Sequence, residues 1–268
     1  MRPGGFTGHA GAASADAAPS ASVGAGASKA AGAGAAGAGA RAFDLVLFDL
    51  DGTLVETAPE ITDAVGDTLR HFGWQPVDED QVARWIGHGT GALLVHAVAR
   101  ASSASVDEVR ASPRLAVIGG VYDGFYAARC GTRSRVYPAV RETLAALRAR
   151  GVRLAIVTNK ERRYTERVLA AHGLAEAFDR VVCGDTQPTR KPVPACVLGC
   201  LRAFGVAPAR ALFVGDSAID VATARAAGVP VWLLPYGYNM GQPVQGCAPD
   251  RIIDDLSALL ATQAEAAA

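Results

Sequence analysis

Asp49 and Asp51 stand two residues apart at the end of the apolar run Phe43-Asp44-Leu45-Val46-Leu47-Phe48. In an extended chain residues i and i+2 face the same side, so both carboxylates would enter one space. There they repel, and one pKa rises unless a cation holds them. Mg²⁺ suits such a pair because it takes oxygen ligands and needs only a few from protein. Gly52 and Thr53 complete the block. Asp-Gly is also a common turn dipeptide, so solvated acids in a turn are the competing reading of these residues.

Other apolar runs also end in polar groups. Arg153–Val157 leads into Thr158-Asn159-Lys160. A hydroxyl at that point can donate to a phosphoryl oxygen, although a polar strand end is ordinary. Lys191 precedes Pro192, which favours extended backbone and entry into a helix. Its ammonium would reach inward to a phosphate or outward to water. Ala211–Val214 ends in Gly215-Asp216-Ser217, and Asp220 follows. In a first helical turn Asp220 would face Asp216, or simply favour the positive helix end.

The elements behind these residues alternate. Short apolar runs at 43–48, 153–157, 180–183, 211–214 and 231–234 fit strands buried on both faces. Helical patterns at 138–150, 161–172, 192–204 and 218–227 lie between them. Each stops at a glycine (Gly151, Gly173, Gly205, Gly228) suited to the left-handed C′ position. The expected fold is α/β, a doubly wound and mainly parallel sheet, with its polar residues gathered at the C-terminal strand edge. One interval departs from this. From 57 to 135 the patterns are helical only, at 57–72, 78–86, 91–101, 106–111 and 115–129. The first has an apolar stripe and a Thr57/Glu60 capping-box spacing. The chain therefore divides into a core of 41–56 and 136–260 and an all-helical cap of 57–135.

Composition sets bounds. Lys+Arg and Asp+Glu both number 26, so the broad positive field of a nucleic-acid binder is absent. No apolar run has the length of a membrane span. Five scattered cysteines fit buried thiols in a reducing, cytoplasmic setting better than a disulfide framework or a metal site. Residues 1–40 contain 10 Gly and 16 Ala. They are expected to be a disordered tail, lacking apolar surface to offset ordering entropy.

The ordered blocks DLDGTLVET, VTNK, RKP and GDSAID resemble the four motifs of the haloacid dehalogenase (HAD) superfamily, with a helical cap of its first type. The segments Arg84–Gly89, Val136–Pro138 and Tyr236–Gly241 are similar to its bacterial phosphoglycolate phosphatase family. The likeness spans about 43–256.

The resemblance implies a Mg²⁺-dependent phosphate monoester hydrolase, a monomer or homodimer, converting 2-phosphoglycolate to glycolate and phosphate. Asp49 would be the nucleophile and Asp51 the acid–base. Asp49, Asp216 and the Asp51 carbonyl would hold the metal, and Thr158, Asn159 and Lys191 the phosphate. Asp220, Gly52 and Thr53 would support them. Arg84, Gly87, His88 and Gly89 would meet the substrate from the cap. His88 stands where the family often has Asn, Glu56 replaces an Asp, and Ala218-Ile219 replaces a more polar pair.

The alternatives are a phosphatase for a sugar phosphate, nucleotide or pyrophosphate, and a phospho-accepting signalling module without turnover. A phosphoglucomutase of the same superfamily would carry a His–Lys gate near the first motif, which Pro59 and Glu60 do not supply. A dehalogenase lacks the second acid that Asp51 provides. A phosphonate hydrolase needs a cap lysine, and 57–135 has none.

Overall fold

The computed structural model describes residues 43–265; the Gly/Ala-rich segment 1–40 lies outside the described residues. In chain order the elements are β1 (Leu45–Phe48), β2 (Val55–Glu56), α1 (Ala58–His71), α2 (Glu79–Ala83), α3 (Thr90–Ser102), α4 (Val106–Ala111) and α5 (Arg114–Arg129). There follow β3 (Arg135–Val136), α6 (Val140–Ala149), β4 (Arg153–Val157), α7 (Arg162–Ala171) and β5 (Arg180–Val182). The last are α8 (Ala195–Phe204), β6 (Ala211–Gly215), α9 (Ala218–Ala226), β7 (Val231–Leu233), β8 (Arg251–Ile252) and α10 (Ala258–Glu265).

Six strands form a parallel sheet in the order β5-β4-β1-β6-β7-β8. Period-two alternation loads both faces. Val46, Phe48, Leu154, Ile156, Leu212 and Val214 pack with Leu144, Leu147 and Val168 of α6 and α7. Leu45, Leu47, Ala155, Val157, Ala211 and Phe213 pack with Val197, Leu201 and Ala224 of α8 and α9. Each Val, Leu, Ile or Phe side chain so buried contributes about 1.5–3 kcal/mol, and this double cover explains why the strands read as continuous apolar runs. The fold is the doubly wound α/β sheet expected, and the four glycines after α6, α7, α8 and α9 are left-handed.

β2 and β3 pair antiparallel, Val55 with Val136 and Glu56 with Arg135, on either side of the helical insertion α1–α5. That insertion has its own apolar cluster, including Ile61, Val65, Leu93, Val98, Ile118 and Tyr122. One local expectation fails here. Thr57 does not cap α1 with its side chain, and Glu60 is fully buried, accepting from the backbone N–H groups of Gly131 (2.8 Å) and Ser134 (3.0 Å). A carboxylate that far inside must find donors, and those of the returning chain outcompete the local box. α8 begins at Ala195, not at Pro192, so Lys191 lies in a loop before the helix. Among the described residues no helix is long and apolar enough to cross a membrane.

Candidate active site

β4 and β5 lie on one side of β1, and β6, β7 and β8 on the other. Such a reversal opens a crevice beyond the carboxyl ends of the strands. Asp49 follows β1 and Asp216 follows β6, so neighbouring strands deliver both to it. Asp49, Asp216 and Asp220 are buried, and one carboxylate oxygen from each lies within 4.8 Å of those of the other two.

Lys191 enters from behind. Its buried Nζ lies 2.9 Å from Asp49 Oδ1 and 2.8 Å from Asp220 Oδ1. Asp220, in the first turn of α9, uses its other oxygen to accept from Asp216 N (3.1 Å), Ser217 N (3.1 Å) and Ser217 Oγ (2.8 Å). Both of its oxygens are therefore engaged. Asp216 accepts from Thr53 Oγ1 (3.0 Å) and from Tyr238 N (2.6 Å). Gly52 has φ +82°, and a Cβ there would stand 2.5 Å from Asp216 Oδ2, so only glycine permits this approach.

Burial is the largest cause pushing the Asp49 carboxyl up to about 6, with Asp220 and Asp51 adding to it and Lys191 opposing. Burial, then Asp220 and Asp49, raise Asp216 well above the carboxylate range. Burial disfavours the Lys191 ammonium, but Asp220 and Asp49 outweigh it and hold its pKa above the ordinary lysine value. Two buried carboxylates with raised pKa values, offering oxygen ligands side by side, suit a hard divalent cation. Asp49 and Asp216 are the pair that could hold one.

Asp51 is secured separately. Thr57 Oγ1 donates to its Oδ1 (2.7 Å), and Lys160 Nζ lies 3.0 and 3.3 Å from its two oxygens. Lys160 is buried, and its ammonium sits 4.9 Å from the centre of the Tyr126 ring of α5. Burial opposes the charge on Lys160, but Asp51 outweighs it and the pKa is raised.

The cavity in front holds about 40 Å³ of open space. Its floor is Asp49, Asp51, Thr158, Asn159, Lys160 and Asp216, and its roof includes Ile61, Ile86, Gly87, Gly89, Leu93, Tyr122 and Tyr126. Thr158 Oγ1 accepts from Lys160 N (3.2 Å). The Asn159 side chain is taken up by backbone: Nδ2 donates to Gly87 O (2.9 Å) and Lys191 O (3.0 Å), and Oδ1 accepts from Lys191 N (2.9 Å). It thus fixes Lys191 and latches the 87–89 loop to the sheet edge.

Arg84 and His88 are not brought to the cavity. Both are exposed and neither lines it. His88 stands between Gly87 (φ +127°) and Gly89 (φ +88°), in a turn where the two glycines reach the cavity and His88 does not. Arg84 lies against Gly241 instead. Lys160, Thr57 and Tyr238 are the residues that motif reasoning left without a role. Lys160 had one signal, its place directly after Thr158-Asn159. Tyr238 had none beyond its segment: its hydroxyl oxygen accepts from Thr57 N (2.8 Å) and Ala58 N (2.9 Å) at the start of α1.

Residues 46–234 match the family model of haloacid dehalogenase-like hydrolases. The phosphoglycolate phosphatase of Pseudomonas putida is 41% identical over 217 residues, covering 81% of this chain and 78% of that protein. Phosphoglycolate phosphatase 1 of Pseudomonas aeruginosa is 40% identical, covering 83% and 80%. The crystal structure of a predicted phosphoglycolate phosphatase from Haemophilus somnus superposes with a TM-score of 0.77 at 35% identity, covering 82% of this chain and 97% of that one.

Proposed function

The chain belongs to the haloacid dehalogenase-like hydrolase family, and we propose that it hydrolyses the phosphate monoester 2-phosphoglycolate to glycolate and phosphate. The observation that carries this reading is the division of labour between two aspartates. Asp49 is buried against Lys191 beside Asp216, while Asp51, two residues on, has its own lysine and hydroxyl. A phospho-accepting switch needs only the first; the second supplies the acid–base that turnover requires.

Asp49 attacks phosphorus and forms an aspartyl-phosphate, dividing one difficult substitution into two. Asp51 protonates the departing alkoxide and then takes the proton of the incoming water. Lys160 and Thr57 hold its carboxylate in place for both steps. Thr158 donates its hydroxyl proton to the phosphoryl oxygens. Lys191 offsets their charge through Asp49, since phosphoryl transfer depends on positioned charge. Asp49, Asp216 and the Asp51 carbonyl would hold Mg²⁺, which would supply further charge compensation for the phosphoryl group. The helices of 57–135 act as a cap that excludes water.

The small cavity, roofed largely by carbon, favours a two-carbon ester over a nucleotide. The chain would act in the cytoplasm, where its free thiols stay reduced, as a monomer or homodimer. The test is a panel of phosphate monoesters compared by kcat/KM with Mg²⁺ present. A preference of less than about tenfold for 2-phosphoglycolate over sugar phosphates and nucleotides would remove the substrate assignment.

A further inference from the structure

We infer that Arg190 is the specificity residue that reads the carboxylate of the substrate; this rests on the reading of 2-phosphoglycolate given above. The charges in and beside the cavity set the problem. Asp49, Asp51, Glu161, Asp216 and Asp220 face two ammonium groups, Lys160 and Lys191. A divalent cation would cancel most of the excess, and a phosphate dianion carrying a carboxylate would more than restore it. Both lysines are already committed, Lys160 to Asp51 and Lys191 to Asp49 and Asp220. The distal carboxylate therefore needs another cation.

Arg190 supplies it. A Cβ on Gly89 would stand 2.6 Å from Arg190 Nη1 and 3.3 Å from Asn159 O. The guanidinium is not itself a lining side chain; it lies beside the cavity, in the crease between Gly89 and Asn159, both of which line it. Glycine at 89 is what lets it come so close. Among the described residues the guanidinium makes no hydrogen bond and no ion pair, and the residue is exposed. Its planar fork of donors is free for a carboxylate, the anion it matches in geometry. The backbone is held firmly at the next residue, where Lys191 N and O both bond to the Asn159 amide. Glu161, the rim's own carboxylate, already accepts from Thr90 Oγ1 at 2.8 Å. Arg84 is the other exposed arginine of interest, but it lies against Gly241, which does not line the cavity.

The test uses two esters of equal length, 2-phosphoglycolate and 2-hydroxyethyl phosphate, as substrates and as competitive inhibitors of p-nitrophenyl phosphate turnover. The wild-type protein is expected to favour the carboxylated ester by about tenfold or more in both measurements. Arg190→Gln should reduce that ratio about tenfold, through KM and the inhibition constant rather than kcat, and Arg190→Lys should recover part of it. Arg84→Gln should leave the ratio within about twofold. Equal losses on both esters would make Arg190 a structural clamp and overturn the assignment, as would a fall in the ratio in Arg84→Gln instead. A wild-type ratio above about ten that survives Arg190→Gln overturns the Arg190 assignment alone. A wild-type ratio near one overturns the substrate reading together with it.

Discussion

The strand edge and the helical insertion face the same cavity with different materials. At the edge, charges and short hydrogen bonds fix each group: Asp216 has two donors, Asp220 four, and Lys191 two carboxylates. The insertion contributes Ile61, Ile86, Leu93, two tyrosines and a glycine turn. Fixed charges act on a group that every phosphate ester shares, so on the proposed reading the edge sets the reaction. Carbon and turned backbone act by shape, so on the same reading the insertion limits the size of what fits. A change to Asp49, Asp216, Asp220 or Lys191 should therefore affect rate or folding for any substrate, and a change on the exposed side of the insertion should affect neither.

The largest effect should come from Asp49→Asn. Loss of the proposed nucleophile is expected to lower kcat by about 10⁴-fold or more for every ester. Phosphate release measured with Mg²⁺ checks this, and turnover within about tenfold of wild type would refute the nucleophile. Next is Lys191→Met, which leaves two buried carboxylates without their cation. Breaking a buried pair in this way costs about 3–5 kcal/mol, readable as a lower urea midpoint at unchanged slope. The double variant Lys191→Met/Asp220→Asn should lose less than the two single losses combined.

Metal comes third. The folded-state pKa of Asp49, pushed up to about 6, exceeds the ordinary value of 3.8. Protonation of Asp49 therefore favours the folded, metal-free protein. That contribution is fully present below the unfolded pKa and is lost as pH rises through the folded one. Mg²⁺ competes with the same proton. Saturation at 100 times the dissociation constant should stabilise by about 2.7 kcal/mol at neutral pH. The gain should shrink at about pH 5, so thermal midpoints with and without Mg²⁺ should converge on acidification. Equal gains at both pH values would contradict the placement of the metal on Asp49. The smallest effect belongs to His88→Asn. Its side chain is exposed and outside the cavity, so kcat/KM for 2-phosphoglycolate should change by less than about threefold.

The same contrast governs how much was legible in the sequence. Asp49 and Asp216 stand out because a strand buried on both faces is a run of carbon, and a carboxylate ending it is conspicuous. The helices and their glycine stops are local patterns and are legible, apart from the start of α8, which lies at Ala195 and not at Pro192. Lys160 was not assigned, because its partner Asp51 lies 109 residues away and nothing in the local pattern names it. Glu60 shows the converse. Its spacing from Thr57 satisfies a local capping rule, yet the chain returning at 131–134 takes its carboxylate. Arg84 and His88 have the right chemistry, but whether a cap side chain enters a cavity depends on the turn that carries it.

Tyr238 ties the two regions together. Its amide donates to Asp216, and its hydroxyl oxygen receives the first two N–H groups at the start of α1. In mechanical terms the start of α1 leans on a strut whose far end rests on the Asp216 carboxylate. The helix cannot leave its seat without surrendering both hydrogen bonds or pulling on Asp216. The position of the roof and the position of that carboxylate are thus linked through one side chain.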